Sequence, residues 1–155
     1  MGIPKPILSL SRETAQKRAV DLLAYSSTVF PKSDGVLNLA TGRLLDLAVE
    51  FAVAARRCFE VDGSKVPISA SRFSNQLNDG LRLETDLWKA LNGLIHARSL
   101  KVNFADSPTI VFMNDGNVVA LHFVYETDRY PETYVDIFGM AWAFLTFGPF
   151  AWDMK

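Results

Sequence analysis

Apolar positions recur every three to four residues through most of this chain and every second residue near position 120, so the pattern predicts helices with a small sheet between them. "SRETAQKRAVDLLAYSSTVF" opens the first helix, with Ser11 as N-cap and Glu13 in the first turn, where a carboxylate favours the helix dipole. Ala15, Ala19, Leu22, Leu23 and Ser26 form its inward stripe, and "PKSDG" (31–35) stops it. A second helix covers 41–63. Leu44, Leu47, Ala48, Phe51, Ala54, Ala55 and Cys58 make a wide apolar face, Arg43, Asp46, Glu50 and Arg57 a polar one, and Asp62-Gly63 ends it.

Residues 64–83 are polar and give no clear element. "ETDLWKALNGLIHARSL" (84–100) then reads as a helix with Thr85 as N-cap. On a helical wheel it carries three stripes. Leu87, Trp88, Leu91, Leu94 and Ile95 are large and apolar. Asp86, Ala90, Gly93 and Ala97 are small, so a neighbouring helix can approach there. Thr85, Lys89, Asn92, His96 and Ser99 are polar.

The period then changes to two. "LKVNF" (100–104), "PTIVFMN" (108–114) and "NVVALHFVYE" (117–126) are rich in β-branched and aromatic residues, with "ADSP" turning the first into the second. Asp115-Gly116 suits the tip of a hairpin between the last two, because a type I′ turn needs positive φ at both central residues. Val119, Leu121, Phe123 and Tyr125 alternate with Val118, Ala120, His122 and Val124. Both sets are apolar enough that both faces are expected to be covered. A last helix, about 132–147, is apolar nearly all round and runs into Gly148-Pro149. The expected architecture is α+β in a single domain over 1–155: an antiparallel bundle of three to four long helices, with a small antiparallel β-sheet inserted before the last one.

Composition narrows the class without naming a function. At 155 residues, 49% hydrophobic and 21% charged, the chain can bury one sizeable core. A net charge of -1 gives no global attraction to nucleic acid or acidic lipid, so such binding would need a local basic patch. Cys58 is the one cysteine; it cannot form an internal disulfide, which suits a reducing cytoplasm, and a buried thiol is its plainest reading. "MGIPKPILSL" lacks a long apolar run, and Pro6 breaks the myristoylation pattern, so neither a secretory leader nor a lipid anchor is expected. "IFGMAWAFLTFGPFAW" (137–152) is too short for a bilayer-spanning helix and carries Gly139 and a Gly-Pro break. No membrane partner is expected.

Motifs for phosphate loops, zinc hydrolases, redox dithiols and serine hydrolases are missing, and no metal ligand set or cofactor is expected. Asp46 and Glu50 lie one turn apart on a polar helix face, where solvation with Arg43 and Arg57 beside them accounts for both. His122 sits inside an apolar strand and reads as a core or cross-strand histidine. The polar stripe of Lys89, Asn92 and His96 is the strongest candidate site. The i, i+4 spacing points Asn92 and His96 the same way, and histidine is the side chain whose ordinary pKa suits proton transfer near neutrality. The plain alternative is a stripe that faces solvent or a neighbouring helix.

"LWKALNGLIHARSLKV" (87–102) resembles the last conserved helix of HEPN-type domains, which are helical bundles and often dimeric. In the ribonuclease members of that family an arginine is followed by a polar residue, often Asn, then three residues and a histidine. "LNGLIH" places Asn92 and His96 at the matching positions, but Leu91 stands where the arginine would be. The family implies that Arg supplies charge stabilisation and His proton transfer at a phosphodiester. Arg98 lies two residues past His96, about 200° round the helix from it, and cannot replace the missing arginine locally, so only Arg56 or Arg57, from another helix, can substitute. The resemblance therefore argues for the fold more than for nuclease activity.

The leading expectation is a cytoplasmic, HEPN-like binding or assembly module, not catalytic. Asn92 and His96 are its candidate catalytic positions, Lys89 and Arg57 its binding cations, and RNA or a nucleotide its candidate ligand. A metal-independent ribonuclease using His96 with a displaced arginine is the second expectation. A purely structural partner-binding protein is the third. Tyr134, Phe138, Trp142, Phe144, Phe147, Phe150 and Trp152 crowd into one short segment, which points to a homodimer through the C-terminal aromatic helix.

Overall fold

In a computed structural model, residues 5–63, 65–69, 81–107 and 116–149 are described. Their element order is α1 (Lys5–Ser26), β1 (Phe30–Pro31), α2 (Asp34–Asp62), β2 (Arg82–Leu83), α3 (Leu87–Ile95), β3 (Ser99–Asp106), β4 (Asn117–Glu126), β5 (Thr133–Asp136) and α4 (Ile137–Phe147). This is the expected α+β arrangement, with three differences that have physical causes.

Both early helices begin sooner than the sequence pattern suggests. α1 starts at Lys5 because Pro6 is tolerated in a first turn, where its missing N–H has no helical partner to lose. Ser11 is therefore no cap but a buried residue in mid-helix, in line with Ala15, Ala19, Leu22 and Ser26. That ridge of mostly small side chains lets α1 lie close to α2. Glu13 is likewise mid-helix and pairs at 2.8 Å with Lys17, which holds its carboxyl below the ordinary value. α2 starts at Asp34, with Ser33 as N-cap, and ends where Gly63 takes φ +71° and returns its N–H to the Phe59 carbonyl.

The second difference is the sheet, which is mixed and not purely antiparallel. β4 is its centre. β3 pairs antiparallel along one edge, and β1 and β5 share the other, β1 at Asn117–Val118 and β5 at His122–Tyr125. β2 runs parallel to β5. Strands therefore come from before α2 and before α3 as well as from the segment preceding the last helix. The register between β3 and β4 slips between Asn103 and Phe104, leaving Leu121 as an extra residue on β4. The expected alternation is broken there: Ala120 joins Phe123 and Tyr125 on the side packed against the helices, with Val135 of β5. Both faces are covered, as expected, since Val118, Leu121, His122 and Val124 are also buried.

The third difference is the last helix. Thr133–Asp136 is strand, and α4 begins at Ile137 because Asp136 caps it, accepting from the Gly139 N–H at 2.6 Å. α3 is also shorter than expected. Its N-cap is Asp86, which accepts from the Lys89 N–H, and not Thr85, so the bundle has two long helices, of 22 and 29 residues, and two short ones, of 9 and 11, where three to four long ones are expected. The expected strand 108–114 and Asp115 fall outside the described residues, as do Phe150 and Trp152.

The core gathers the inward faces of all four helices against the sheet, around Leu22, Leu44, Phe51, Leu87, Leu91, Phe123, Ile137 and Met140. Phe144 is in it, whereas Trp142 and Phe147 are exposed, with Phe138 stacked on Trp142. Cys58 is buried, and burial pushes its thiol up to about 11. No helix among the described residues is long and apolar enough to cross a membrane. Gly116 adopts φ +95° and its carbonyl accepts from the Lys32 N–H at 3.0 Å. Gly116→Val is thus expected to cost about 1 kcal/mol or more, since a β-branched residue resists positive φ. Thermal melts would read this; an unchanged melting temperature would count against it.

Candidate functional site

The chain folds α3 against the end of β4 and so opens a cleft of about 580 Å³. One wall is the polar side of α3: Trp88, Lys89, Asn92 and His96, with Gly93 beneath. Tyr125 of β4 forms the floor. The turn Thr127–Tyr130 forms the opposite wall, and Glu84 closes one end. The structure thus brings together three of the residues that the sequence singles out, Lys89, Asn92 and His96. Arg57 does not join them. It stands on the exposed side of α2, outside the cleft lining.

The wall is fixed at both ends of α3. A strap before the helix bonds Ile68 to the Thr85 carbonyl and Leu87 to the Val66 carbonyl, which holds the first turn. At the other end His96 is the C-cap; its backbone N–H returns to Asn92 at 3.0 Å, and its side chain is exposed. The Asn92 amide donates to the Trp88 carbonyl at 3.1 Å, which sets its orientation. The opposite wall is a tight turn around Thr127. The Thr127 hydroxyl accepts from the N–H groups of Arg129 and Tyr130, and the Thr127 N–H donates to the Tyr130 carbonyl. Arg98 fastens this turn to the end of α3, pairing with Asp128 and donating its N–H to the Glu126 carbonyl.

Close approach at the floor depends on Gly93. A Cβ there would stand 2.2 Å from Cε2 of Tyr125. The small stripe of α3 therefore receives an aromatic ring from the sheet, where the sequence pattern suggests a helix. Burial raises the Tyr125 hydroxyl well above the ordinary phenol value, with the Glu84 carboxylate adding to it and Arg82 opposing. It stays neutral at physiological pH and keeps its proton as a donor.

The charges of the cleft are unequally engaged. Glu84 accepts from the N–H groups of Thr85 and Asp86, with Arg82 at 4.0 Å, and Asp128 is held by Arg98. Among the described residues neither Lys89 nor Arg129 has an acidic partner. Two cations thus face a cavity whose two carboxylates are already occupied. Aromatic rings stand beside them. Tyr130 carries the Arg82 guanidinium 4.0 Å from its centroid, and Trp88 carries Arg56 at 5.6 Å. Arg56 lies outside the cleft lining, against the Trp88 ring, while its Nε pairs with Glu60.

Sequence reasoning missed the second wall. "TDRYPET" reads as a connector, and nothing in its spacing ties Arg129 or Tyr130 to α3. A cation and an aromatic side by side in a polar turn were the available signal. His122 is fully buried in the sheet, bonded at 3.2 Å to Asn103 and edge-on to Tyr134, as expected of a core histidine. No group of His, Cys, Asp and Glu among the described residues is placed to hold a metal ion. No family model, no curated protein and no solved structure matches this chain.

Proposed function

We propose that this protein is a HEPN-like binding module whose cleft takes an anionic ligand with a planar ring, of the nucleotide or single-stranded RNA class, and that it binds without catalysis. One observation carries the reading: Lys89 and Arg129, without an acidic partner among the described residues, stand beside Trp88 and Tyr130 in one cavity. Cations of this kind form strong charge-assisted bonds to phosphate oxygens, and aromatic rings stack on bases. Asn92 and the Tyr125 hydroxyl supply hydrogen bonds for a base or ribose. The cavity lies within the usual size range of small-ligand sites. The cytoplasm is the compartment that goes with this reading, in line with the single buried thiol.

Calorimetric titration with AMP, adenosine, inorganic phosphate and a short single-stranded RNA would test it. AMP should bind more tightly than adenosine or phosphate alone. Lys89→Ala and Arg129→Ala should each weaken AMP about tenfold or more, the worth of a charged hydrogen bond. No binding of any of the four, or binding that ignores both substitutions, would overturn the reading and leave the purely structural partner-binding role.

The metal-independent ribonuclease remains a second reading because Arg129 lines the same cleft as His96. The arginine that α3 lacks at Leu91 would then come from the facing turn, with His96 moving the proton. Under it, the protein should cut single-stranded RNA in the presence of EDTA, and His96→Ala should abolish the cutting. Cleavage unchanged by that substitution would remove His96 from the reaction.

A further inference from the structure

α2 carries a second set of residues that the other described residues leave exposed. Gly35, Leu39, Gly42, Asp46, Val49 and Val53 recur at alternating steps of four and three, and all are exposed. The spacing is that of a helix seam, and it lies on the side of α2 opposite its buried face. Leu39 is 79% exposed, and Val49, Val53 and Val61 are each more than 40% exposed. An added Cβ at Gly35 or Gly42 would meet nothing within 4 Å, and neither glycine has positive φ. Nothing within the described chain therefore requires glycine there, although each costs about 1 kcal/mol against alanine in a helix. Glycine on an outer helix face suits close approach by another backbone.

The charges on this face say which backbone. Asp46 and Arg57 have no ion-pair partner among the described residues, whereas Glu50 beside them is held by Arg18 at 3.3 Å. Consider a second copy of α2 laid antiparallel about a two-fold axis level with Phe51. Val49 then meets the partner's Val53, and Val53 the partner's Val49. Asp46 and Arg57 stand almost equally far from that axis, so each Asp46 meets the partner's Arg57, once on either side. Gly42 comes opposite the partner's Glu60, and Leu39 falls near the partner's Val61. The face is thus self-complementary in charge and in bulk.

We infer that two copies of this protein associate through the outer face of α2, antiparallel, with Val49 and Val53 at the centre and an Asp46–Arg57 pair on each flank. The α4 surface around Trp142 offers exposed apolar area too, but α4 itself, Ile137–Phe147, has no charged residue to select a partner. The inference is independent of what the cleft binds.

Sedimentation or light scattering on the full chain at tens of micromolar tests it. The unaltered protein should be a dimer. Asp46→Arg alone and Arg57→Glu alone each set like charges together on both flanks and should weaken the dimer about tenfold or more. An equimolar mixture of the two single variants restores opposite charges on both flanks of a mixed dimer, and should restore association. The double variant Asp46→Arg/Arg57→Glu should do the same. Recovery on mixing is a result that misfolding cannot produce. A monomer for the unaltered chain would overturn the inference. So would single variants that fail to recover on mixing, or a dimer that ignores both but is lost with Trp142→Ser.

Discussion

Phe51→Ala should destabilise the protein by about 4 kcal/mol, the usual cost of removing a large ring from a packed interior. Phe51 is fully buried at the middle of α2, and its ring meets Phe144 edge to face, with centroids 5.3 Å apart. Phe144 in turn touches Phe59 at 6.4 Å, so one residue joins the centre of α2 to the end of α4. Alanine would leave a cavity that those neighbours cannot fill, and it would remove the favourable ring geometry as well. Total stabilities of small domains are about 5–15 kcal/mol, so this one change could take much of it. Urea unfolding gives the measurement. A loss below about 1 kcal/mol would mean that the ring is not the joint described here.

Gly93→Ala is expected to cost about 3 kcal/mol, against the usual rule for helices. Inside a helix, alanine is normally better than glycine by about 1 kcal/mol. Here the new methyl would meet the Tyr125 ring at 2.2 Å, and that ring is buried. Overpacking of this kind forces either the backbone of α3 or the ring to move. The two responses can be told apart. If α3 moves, stability falls and the cleft loses its wall. If the ring swings away, stability falls less, and the cleft loses its floor. Adding Tyr125→Leu to Gly93→Ala should return part of the loss, because the nearest collisions are with ring carbons, with the hydroxyl oxygen next at 2.8 Å. Tyr125→Phe should not. A Gly93→Ala protein as stable as the original would show that the ring and helix are not in contact.

How far the sequence reveals this molecule depends on how local each feature is. α2 and its stop at Gly63 are legible because a wide apolar stripe and a left-handed glycine act within a few residues of themselves. The β5–α4 boundary is hidden because Thr133–Phe147 is apolar on every side, so neither period stands out. The marker was Asp136, a carboxylate within an apolar run, which is costly unless it caps something. The face swap of β4 is hidden because Leu121 fits either alternation, and only the register against β3 makes it the extra residue. In the cleft, Lys89, Asn92 and His96 are legible as one stripe of one helix. Arg129 and Tyr130 are not, since their position follows from the Arg98 bonds that fold the turn back over α3, which is a tertiary fact. Arg57 is a candidate cleft cation in the sequence because α3 lacks an arginine at Leu91, and the direction of α2 carries it elsewhere.

β2 is only two residues long, yet it is the strand that leads into the cleft. Arg82 and Leu83 pair with Thr133 and Tyr134, the Glu84 N–H continues the ladder to the Tyr134 carbonyl, and Glu84 then lines the cavity. So short a ladder is among the cheapest parts of a fold to open, and local opening of that kind proceeds without disturbing the core. Each opening would release Glu84 and the Arg82 guanidinium from over Tyr130, unmaking one end of the cavity while α2 and α4 stay intact. Anything held between α3 and the Thr127–Tyr130 turn stabilises the closed form by mass action. Occupancy of the cleft and amide protection at Arg82–Glu84 are therefore one equilibrium read at two places, so hydrogen exchange at this short strand reports on a ligand before its identity is known.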